Sequence, residues 1–461
     1  MVALMRNWRL SPRKAPRALM RLCQDSLLRN SVYNMSATIV TALLGYVYWV
    51  VAARAYQPRA VGSGAAIVSA MTLAALLANF GVGSALVAVL PGRANGFAWS
   101  RTLNAALVLS LVSGVIVGSI VTTILPLLSA RLDAGVDPDP SYALLFIVGV
   151  ALWTVSTTLD GAFVAERATG HVLARSALFA AVKIPLLVTP LLQTGPPGEG
   201  ILVSWVLATA ISCVAGFVQL NRLGRGYRYT VRGVAGEARR LPRSLAGQHL
   251  INLGGSAPMY LLPLLVAVRL STTANAYFYT AWKVGSLFFM ISPAVAASLF
   301  AEGAYHPEAL PGQARRAGLM IASLLGPSIL ILLPGAPMIM GLFGGEYARH
   351  GLTLLALLVL SAVPDALTNV YVSVLRVRGQ IWRAAGLNVG MAVVALALAW
   401  VALPLLGIAG AGLAWLIAQV CGAIFVAVHV GHACWCRWGA YMKGWVAPSG
   451  IMAARGRRVD A

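Results

Sequence analysis

The sequence predicts an all-α integral membrane protein: about twelve transmembrane helices in two pseudo-equivalent six-helix bundles around a central cavity. Three observations carry that prediction. The chain is 59% hydrophobic and only 10% charged, with a mean hydropathy of +0.80, whereas a soluble domain carries roughly a quarter charged residues. Its apolar runs reach the ~20 residues that a helix needs to cross a bilayer and lack the short alternation of an outer-membrane barrel. In hydrocarbon such a helix satisfies its own backbone hydrogen bonds. Finally, the middle of the chain, Asn221 to Arg243, reads NRLGRGYRYTVRGVAGEARRLPR, with seven arginines against the single acid Glu237. About six apolar runs precede it and six follow it.

A formal net charge of +22 would suggest nucleic acid for a soluble protein, so the placement of the charges decides. With the N-terminus inside, alternating segments on the inner side hold 28 of the 35 Lys+Arg, including Arg167 and Arg175. The outer segments hold Arg54, Arg59, Arg131, Arg269 and Arg349, and Lys183 and Lys283 fall within spans. That asymmetry places both termini in the cytoplasm of a multi-pass cell-membrane protein, with no nucleic-acid partner. The organisation expected is a basic tail over 1–30, a first lobe over 31–220, a basic linker over 221–243, a second lobe over 244–432 and a basic tail over 433–461. The tails should lie against anionic membrane lipids.

The tail over 1–30 contains Pro12 and Pro16 and no apolar core, so it is neither signal peptide nor span. Span 1 covers about Ser31 to Ala53, and AARAYQPRAVG leads into span 2 near Gly62. Gly81, Gly83 and Pro91-Gly92 break the following stretch. Span 3 covers about Leu103 to Leu127, and RLDAGVDPDP is the most acidic outer loop. Its Asp137-Pro-Asp139 has the form of a glycosyltransferase metal motif, but no catalytic domain surrounds it and the residues suit a solvated turn. Spans 4 to 6 lie near Tyr142 to Val164, Val172 to Leu192 and Ile201 to Leu220. In the second lobe, spans 7 to 12 lie near Leu245 to Val268, Ala276 to Phe300, Ala317 to Phe343, Leu352 to Leu375, Ala385 to Leu406 and Ile408 to Val430. Pro327, Pro334 and Pro337 should kink or interrupt span 9. Span 4 carries Asp160 and exits through ERATGHVLAR, and span 10 carries Asp365 and exits through LRVRGQIWR. This shared pattern suggests two parallel repeats, with a substrate path between them.

An ionisable side chain within a span costs roughly 2.5–3.5 kcal/mol on insertion scales, so Asp160, Lys183, Lys283 and Asp365 need a reason to be there. They either line a wet cavity, where lysines attract an anionic headgroup and acids bind a coupling cation, or pair within each lobe, Asp160 with Lys183 and Lys283 with Asp365. Arg54 stands between cavity lining and interface anchoring. Five cysteines give no disulfide framework. His429, His432, Cys434 and Cys436 have metal-ligand types at close spacing, but they end the last span among Trp435 and Trp438, as an interfacial helix end does. No P-loop, Ser-His-Asp order or paired-carboxylate spacing is present, so neither an enzyme nor a cofactor is expected.

Three segments carry a family resemblance in order. Asn30 and Asn34 followed by AARAYQPRAVGSGAAIVSAM resemble the start of the oligosaccharide and polysaccharide flippases, relatives of the multidrug and toxic-compound exporters. NAYFYTAWKVGSLFFMISPAVAASLFAEGA is similar to their second-lobe segment, and GLFGGEYARHGLTLLALL to their span 9 to span 10 connection. The resemblance implies two six-helix bundles around a cavity that opens alternately to either side, moving a polyprenyl-diphosphate-linked oligosaccharide. On that reading Lys283, Lys183 and Arg54 bind the anionic substrate, and Asp160 and Asp365 couple transport to Na+ or H+. A drug/cation antiporter on the same fold would rely on the acids instead. A membrane glycosyltransferase or polymerase is disfavoured by the short outer loops.

Overall fold

The computed structural model describes residues 26–93, 96–129, 140–189, 196–230, 236–237, 246–305 and 307–445. Fourteen helices occur among them, and no strand does. The first lobe comprises α1 (Ser26–Ala55), α2 (Pro58–Asn79), the short α3 (Val82–Val89), α4 (Gly96–Ser129), α5 (Pro140–Ala165), α6 (Thr169–Leu187) and α7 (Glu199–Asn221). The second comprises α8 (Ala246–Arg269), α9 (Thr272–Gly285), α10 (Ile291–Tyr305), α11 (Leu310–Gly341), α12 (Gly345–Val377), α13 (Ile381–Leu406) and α14 (Ile408–Trp445). Ten helices are long and apolar enough to cross a membrane, or eleven when α9 and α10 count as one span. The 30-residue α1 stands beside these. The protein is a multi-pass membrane protein.

The second span of each lobe is broken. In the first lobe α2 ends at Phe80 and Gly81, whose φ of 46° and 77° are left-handed, so the chain turns before α3. In the second, the expected continuous helix over Ala276 to Phe300 is instead α9 and α10, bent by 48° through a 3-10 turn at Phe288–Met290. Pro293 lies in the first turn of α10, where its missing N–H is tolerated, whereas in a continuous helix it would remove a hydrogen bond. The Ser286 hydroxyl also donates to the Lys283 carbonyl at 2.8 Å, competing with the helical pattern. Conversely, α11 runs unbroken through Pro327, Pro334 and Pro337, as transmembrane helices tolerate.

The two lobes share one packing scheme. In the first, α1 lies on α6, α6 on α7, α7 on α5 and α5 on α4; in the second, α8 lies on α13, α13 on α14, α14 on α12 and α12 on α11. The expected tandem repeat is therefore a repeat of packing, with Asp160 and Asp365 on the equivalent helices α5 and α12. Helix α14 continues past the expected end at Val430 to Trp445. The expected turn at Asp137 and both terminal tails, apart from Ser26 to Asn30 and the end of α14, lie outside the described residues.

The lobes meet along α2, which packs against both α8 and α9. At the end of the bundle away from the 221–243 linker, a Cβ on Gly62 would lie 1.6 Å from the Thr272 carbonyl oxygen. Only glycine allows that approach. The buried Asn275 Nδ2 donates to the Gly62 carbonyl at 2.8 Å there. At the opposite end the linker is bound to the first lobe. Arg93 and Arg101 donate to Glu237 at 2.8 and 2.9 Å, and Trp99 Nε1 and Arg225 Nε donate to Glu166, each at 2.8 Å. The Tyr227 hydroxyl donates to Asn104 Oδ1 at 2.7 Å.

Gly62→Leu should therefore separate the lobes at the end away from the linker. Spin labels on cysteines replacing the exposed Gln57 and Gly345 should report a longer distance than in the parent; an unchanged distance distribution would mean that this crossing does not hold that end closed.

Candidate functional site

Both membrane-embedded lysines face aromatic rings rather than acids. Phe179 and Lys183 lie one helical turn apart on α6, as Tyr279 and Lys283 do on α9, and i,i+4 neighbours share a helix face. Lys183 is 3% exposed, with Nζ 4.2 Å from the Trp205 ring centroid, 4.5 Å from Phe179 and 4.6 Å from Tyr48. Lys283 Nζ lies 4.9 Å from the Tyr279 ring. Between them the rings form a continuous path across the lobe boundary. Tyr279 meets Trp49 at 4.6 Å, Trp49 meets Tyr48 at 5.4 Å, and Tyr48 meets Trp205 at 5.5 Å. The Tyr48 and Ser204 hydroxyls share a hydrogen bond of 2.9 Å, which holds that ring in place.

Among the described residues neither lysine has a carboxylate partner. A desolvated cation–π contact contributes about 2 kcal/mol, so the cage around Lys183 offsets much of the cost of placing an ammonium there. It does so without cancelling the charge. The two lysines are near enough to act electrostatically on each other.

The acids are held elsewhere. Asp160 pairs with Arg175, which also donates Nε to the Ser212 carbonyl at 3.1 Å and a terminal nitrogen to Ser156 Oγ at 2.7 Å. Arg175 is 2% exposed, and Gly216 leaves room for it, since a Cβ there would lie 2.9 Å from its Nε. Neither expected lysine–acid pair forms: Asp160 is bonded to Arg175 rather than Lys183, and Asp365 to Ser292 and Asn369 rather than Lys283. Arg175 is also not a loop cation as the charge asymmetry assumed. It lies in α6 close to its start, and its long stem carries the guanidinium into the lobe towards α5.

Asp365 is buried and accepts hydrogen bonds from Ser292 Oγ at 2.5 Å and Asn369 Nδ2 at 2.9 Å. It lines a cavity of about 380 Å³ within the second lobe. Asn252, Asn388, Arg376, Trp415 and Gln419 also line it. Gln419 Oε1 and Trp415 Nε1 are buried there without hydrogen-bond partners. Unpaired buried polar groups are costly, so water or a polar ligand in this cavity would be stabilised by bonding to them.

Arg54 is exposed at the end of α1 and donates Nε to the Leu342 carbonyl at 2.9 Å and a terminal nitrogen to the Gly341 carbonyl at 3.1 Å. A cation at the last carbonyls of α11 satisfies otherwise orphan acceptors. The Tyr46 hydroxyl donates to the Ile339 carbonyl at 3.2 Å beside it. Arg54 thus ties the two lobes at the end away from the linker, apart from the lysine and aromatic path. No cluster of three or more potential metal ligands occurs among the described residues. His429 stacks on Phe425 at 6.0 Å, and the side chains of His432, Cys434 and Cys436 lie outside the described residues.

Sequence reasoning singled out both lysines and both acids but missed Arg175 and the aromatic path. The signal for the path was present as an aromatic residue four positions before each lysine.

Residues 27–228 match the family model described as polysaccharide biosynthesis protein. No curated protein is matched by sequence. Among solved structures the chain is similar to an inward-facing multidrug resistance MATE family transporter of the MOP superfamily, at 17% identity and a TM-score of 0.68, covering 88% of this chain and 96% of that one. It is equally similar, at 12% identity and a TM-score of 0.68, to the lipid II flippase MurJ in an inward closed conformation, covering 87% of each chain. The chain shares the fold of these two solved structures. An outward-facing MATE family transporter of that superfamily superposes less well, at 16% identity and a TM-score of 0.61, with 88% and 96% coverage.

The two acids should respond differently to neutralisation. Asp160→Asn leaves Arg175 buried without its counter-charge and should cost about 3 kcal/mol, the lower end of the range for breaking a buried pair because Asp160 is 36% exposed. Asp365→Asn keeps an acceptor for Ser292 and should cost about 1 kcal/mol. Thermal unfolding of the purified variants in detergent distinguishes them, and adding Arg175→Met to Asp160→Asn should restore most of the loss.

Proposed function

We propose that this protein is a flippase that moves a polyprenyl-diphosphate-linked oligosaccharide, a precursor of a cell-surface glycan, across the cytoplasmic membrane by alternating access. The observation that carries the reading is the pair of lysines, Lys183 buried and Lys283 partly so, that have no carboxylate partner among the described residues and are joined by aromatic rings across the lobe boundary. A diphosphate brings negative charge to a partly desolvated site, where its attraction to a fixed ammonium exceeds the value in bulk water. The match of residues 27–228 to the polysaccharide biosynthesis family and the likeness to the lipid II flippase support the same reading. The excess of basic residues on the linker side supports placing the linker and both termini in the cytoplasm. The clamp at Arg54 then closes the outer side, leaving the headgroup to enter from within.

Substrate binding is assigned to Lys183 and Lys283, with Arg54 acting on the outer gate. Cation coupling, by Na+ or H+, is assigned to Asp365, which faces a cavity with unpartnered polar groups. Asp160 is already neutralised by Arg175 and serves the first lobe's packing. An exporter of organic cations on the same fold would need a net negative charge where the lobes meet, and two lysines stand there instead.

Transport of a labelled lipid-linked oligosaccharide into reconstituted vesicles tests this. Lys183→Gln and Lys283→Gln should each lower the rate about 10- to 100-fold, matching the ~1.5–3 kcal/mol of a hydrogen bond to a charged group, with partial retention in the arginine variants. A full rate in the double glutamine variant would refute the headgroup site. Asp365→Asn should remove the dependence on pH or Na+ while substrate binding persists; an unaltered dependence would remove Asp365 from coupling.

A further inference from the structure

A second concavity lies outside the site just described, between α12, α13 and α14, with a volume of about 560 Å³. That is within the roughly 300–1,000 Å³ of small-molecule sites. Its floor is made by glycines: Gly386 and Gly390 on α13 have no atom within 4 Å of where a Cβ would stand. Val394, Ala418, Cys421 and Phe425 continue an apolar wall. The exposed Val393, Ile424 and Val428 near it belong to the face that the bilayer covers.

The groove is polar at one end only. Arg383, at the linker-side start of α13, lines it together with Tyr371 and His429. Arg378 lies nearby, since both it and Arg383 act electrostatically on the Tyr371 phenol. Among the described residues neither arginine has a carboxylate partner, and the hydrogen bond made by Arg383 is to the neutral Gln380 Oε1, at 3.1 Å. A slot that is apolar along its length and cationic at the membrane surface matches an amphiphile with an acyl chain and an anionic head. Basic pockets between transmembrane helices take such headgroups.

We propose that the groove between α12, α13 and α14 holds an anionic phospholipid of the leaflet on the linker side, its phosphate on Arg383 and Arg378 and one acyl chain along Gly386 and Gly390. The assignment is independent of the transported substrate. Met391 lines both this groove and the Asp365 cavity. A Cβ on Gly422 would fall 2.2 Å from its sulfur, so the thioether is wedged against α14 and forms the partition between lipid and the interior of the lobe.

Native mass spectrometry of the full-length protein, delipidated and titrated with phosphatidylglycerol or phosphatidylcholine, tests the proposal. One phosphatidylglycerol should be retained in preference to phosphatidylcholine. Arg383→Gln should reduce that preference about fivefold, and the double variant with Arg378→Gln should abolish it, following the weight of a juxtamembrane cation. Gly390→Phe should fill the slot and remove bound lipid of either kind while leaving the arginines in place. Equal retention of the two lipids by the parent, or a preference that survives in the double arginine variant, would overturn the proposal. So would a dimer that Gly390→Phe disrupts, which would mean that a second copy of the chain occupies the groove.

Discussion

An ammonium group buried without a counter-ion is the constraint around which this structure is arranged. Lys183 stands at the meeting of α1, α6 and α7, and among the described residues it is compensated by the negative faces of Tyr48, Phe179 and Trp205. Three rings at that distance must be held rigidly, which accounts for the hydrogen bond between Tyr48 and Ser204 and for the packing of Trp49 and Trp205 around them. Because Trp49 also touches Tyr279 of the other lobe, the environment of one lysine depends on how the lobes are set. A charge site whose surroundings depend on lobe position fits the proposed transport, since binding energy can shift an equilibrium only when it differs between states.

Each lobe has an acid on the corresponding helix, and the two sit in different surroundings. Asp160 is paired with a buried arginine and belongs to the first lobe's framework. Asp365 has neutral partners and a cavity. Equivalent positions in the two bundles are thus not equivalent chemically: the acid of the first lobe is ion-paired, and that of the second is held by neutral groups with a cavity beside it.

Most of the fold was legible because hydropathy reports on the solvent, and the apolar runs other than Ala276 to Phe300 became helices near the expected places. The break between α9 and α10 was hidden for the same reason: Ser286 to Pro293 remain apolar overall, so hydropathy runs on where the backbone does not. Pro293 marked the break, but Pro327, Pro334 and Pro337 suggested interruptions that α11 does not have. The candidate site was legible as charges in the wrong solvent. Its partners were not, since the pairing of Asp160 with Arg175 depends on how α5, α6 and α7 meet and on Gly216 leaving space. Charge counting placed Arg175 with the loop cations because it sits near a helix start, and periodicity alone does not reveal which way a long side chain turns.

The linker's attachment to the first lobe has a mechanical consequence. Glu237 is pinned by Arg93 and Arg101 to the rim of that lobe, and α8 of the second lobe starts at Ala246. The chain that actually bridges the lobes is therefore the eight residues 238–245 rather than the whole basic stretch, and its nine Cα–Cα steps, at 3.3–3.6 Å each, extend to about 30 Å at most. The two ion pairs act as a belay point: while they hold, the start of α8 stays within that leash of the first lobe's rim. Releasing Glu237 would lengthen the leash, so the carboxylate of one residue limits how far the two lobes can part at this end.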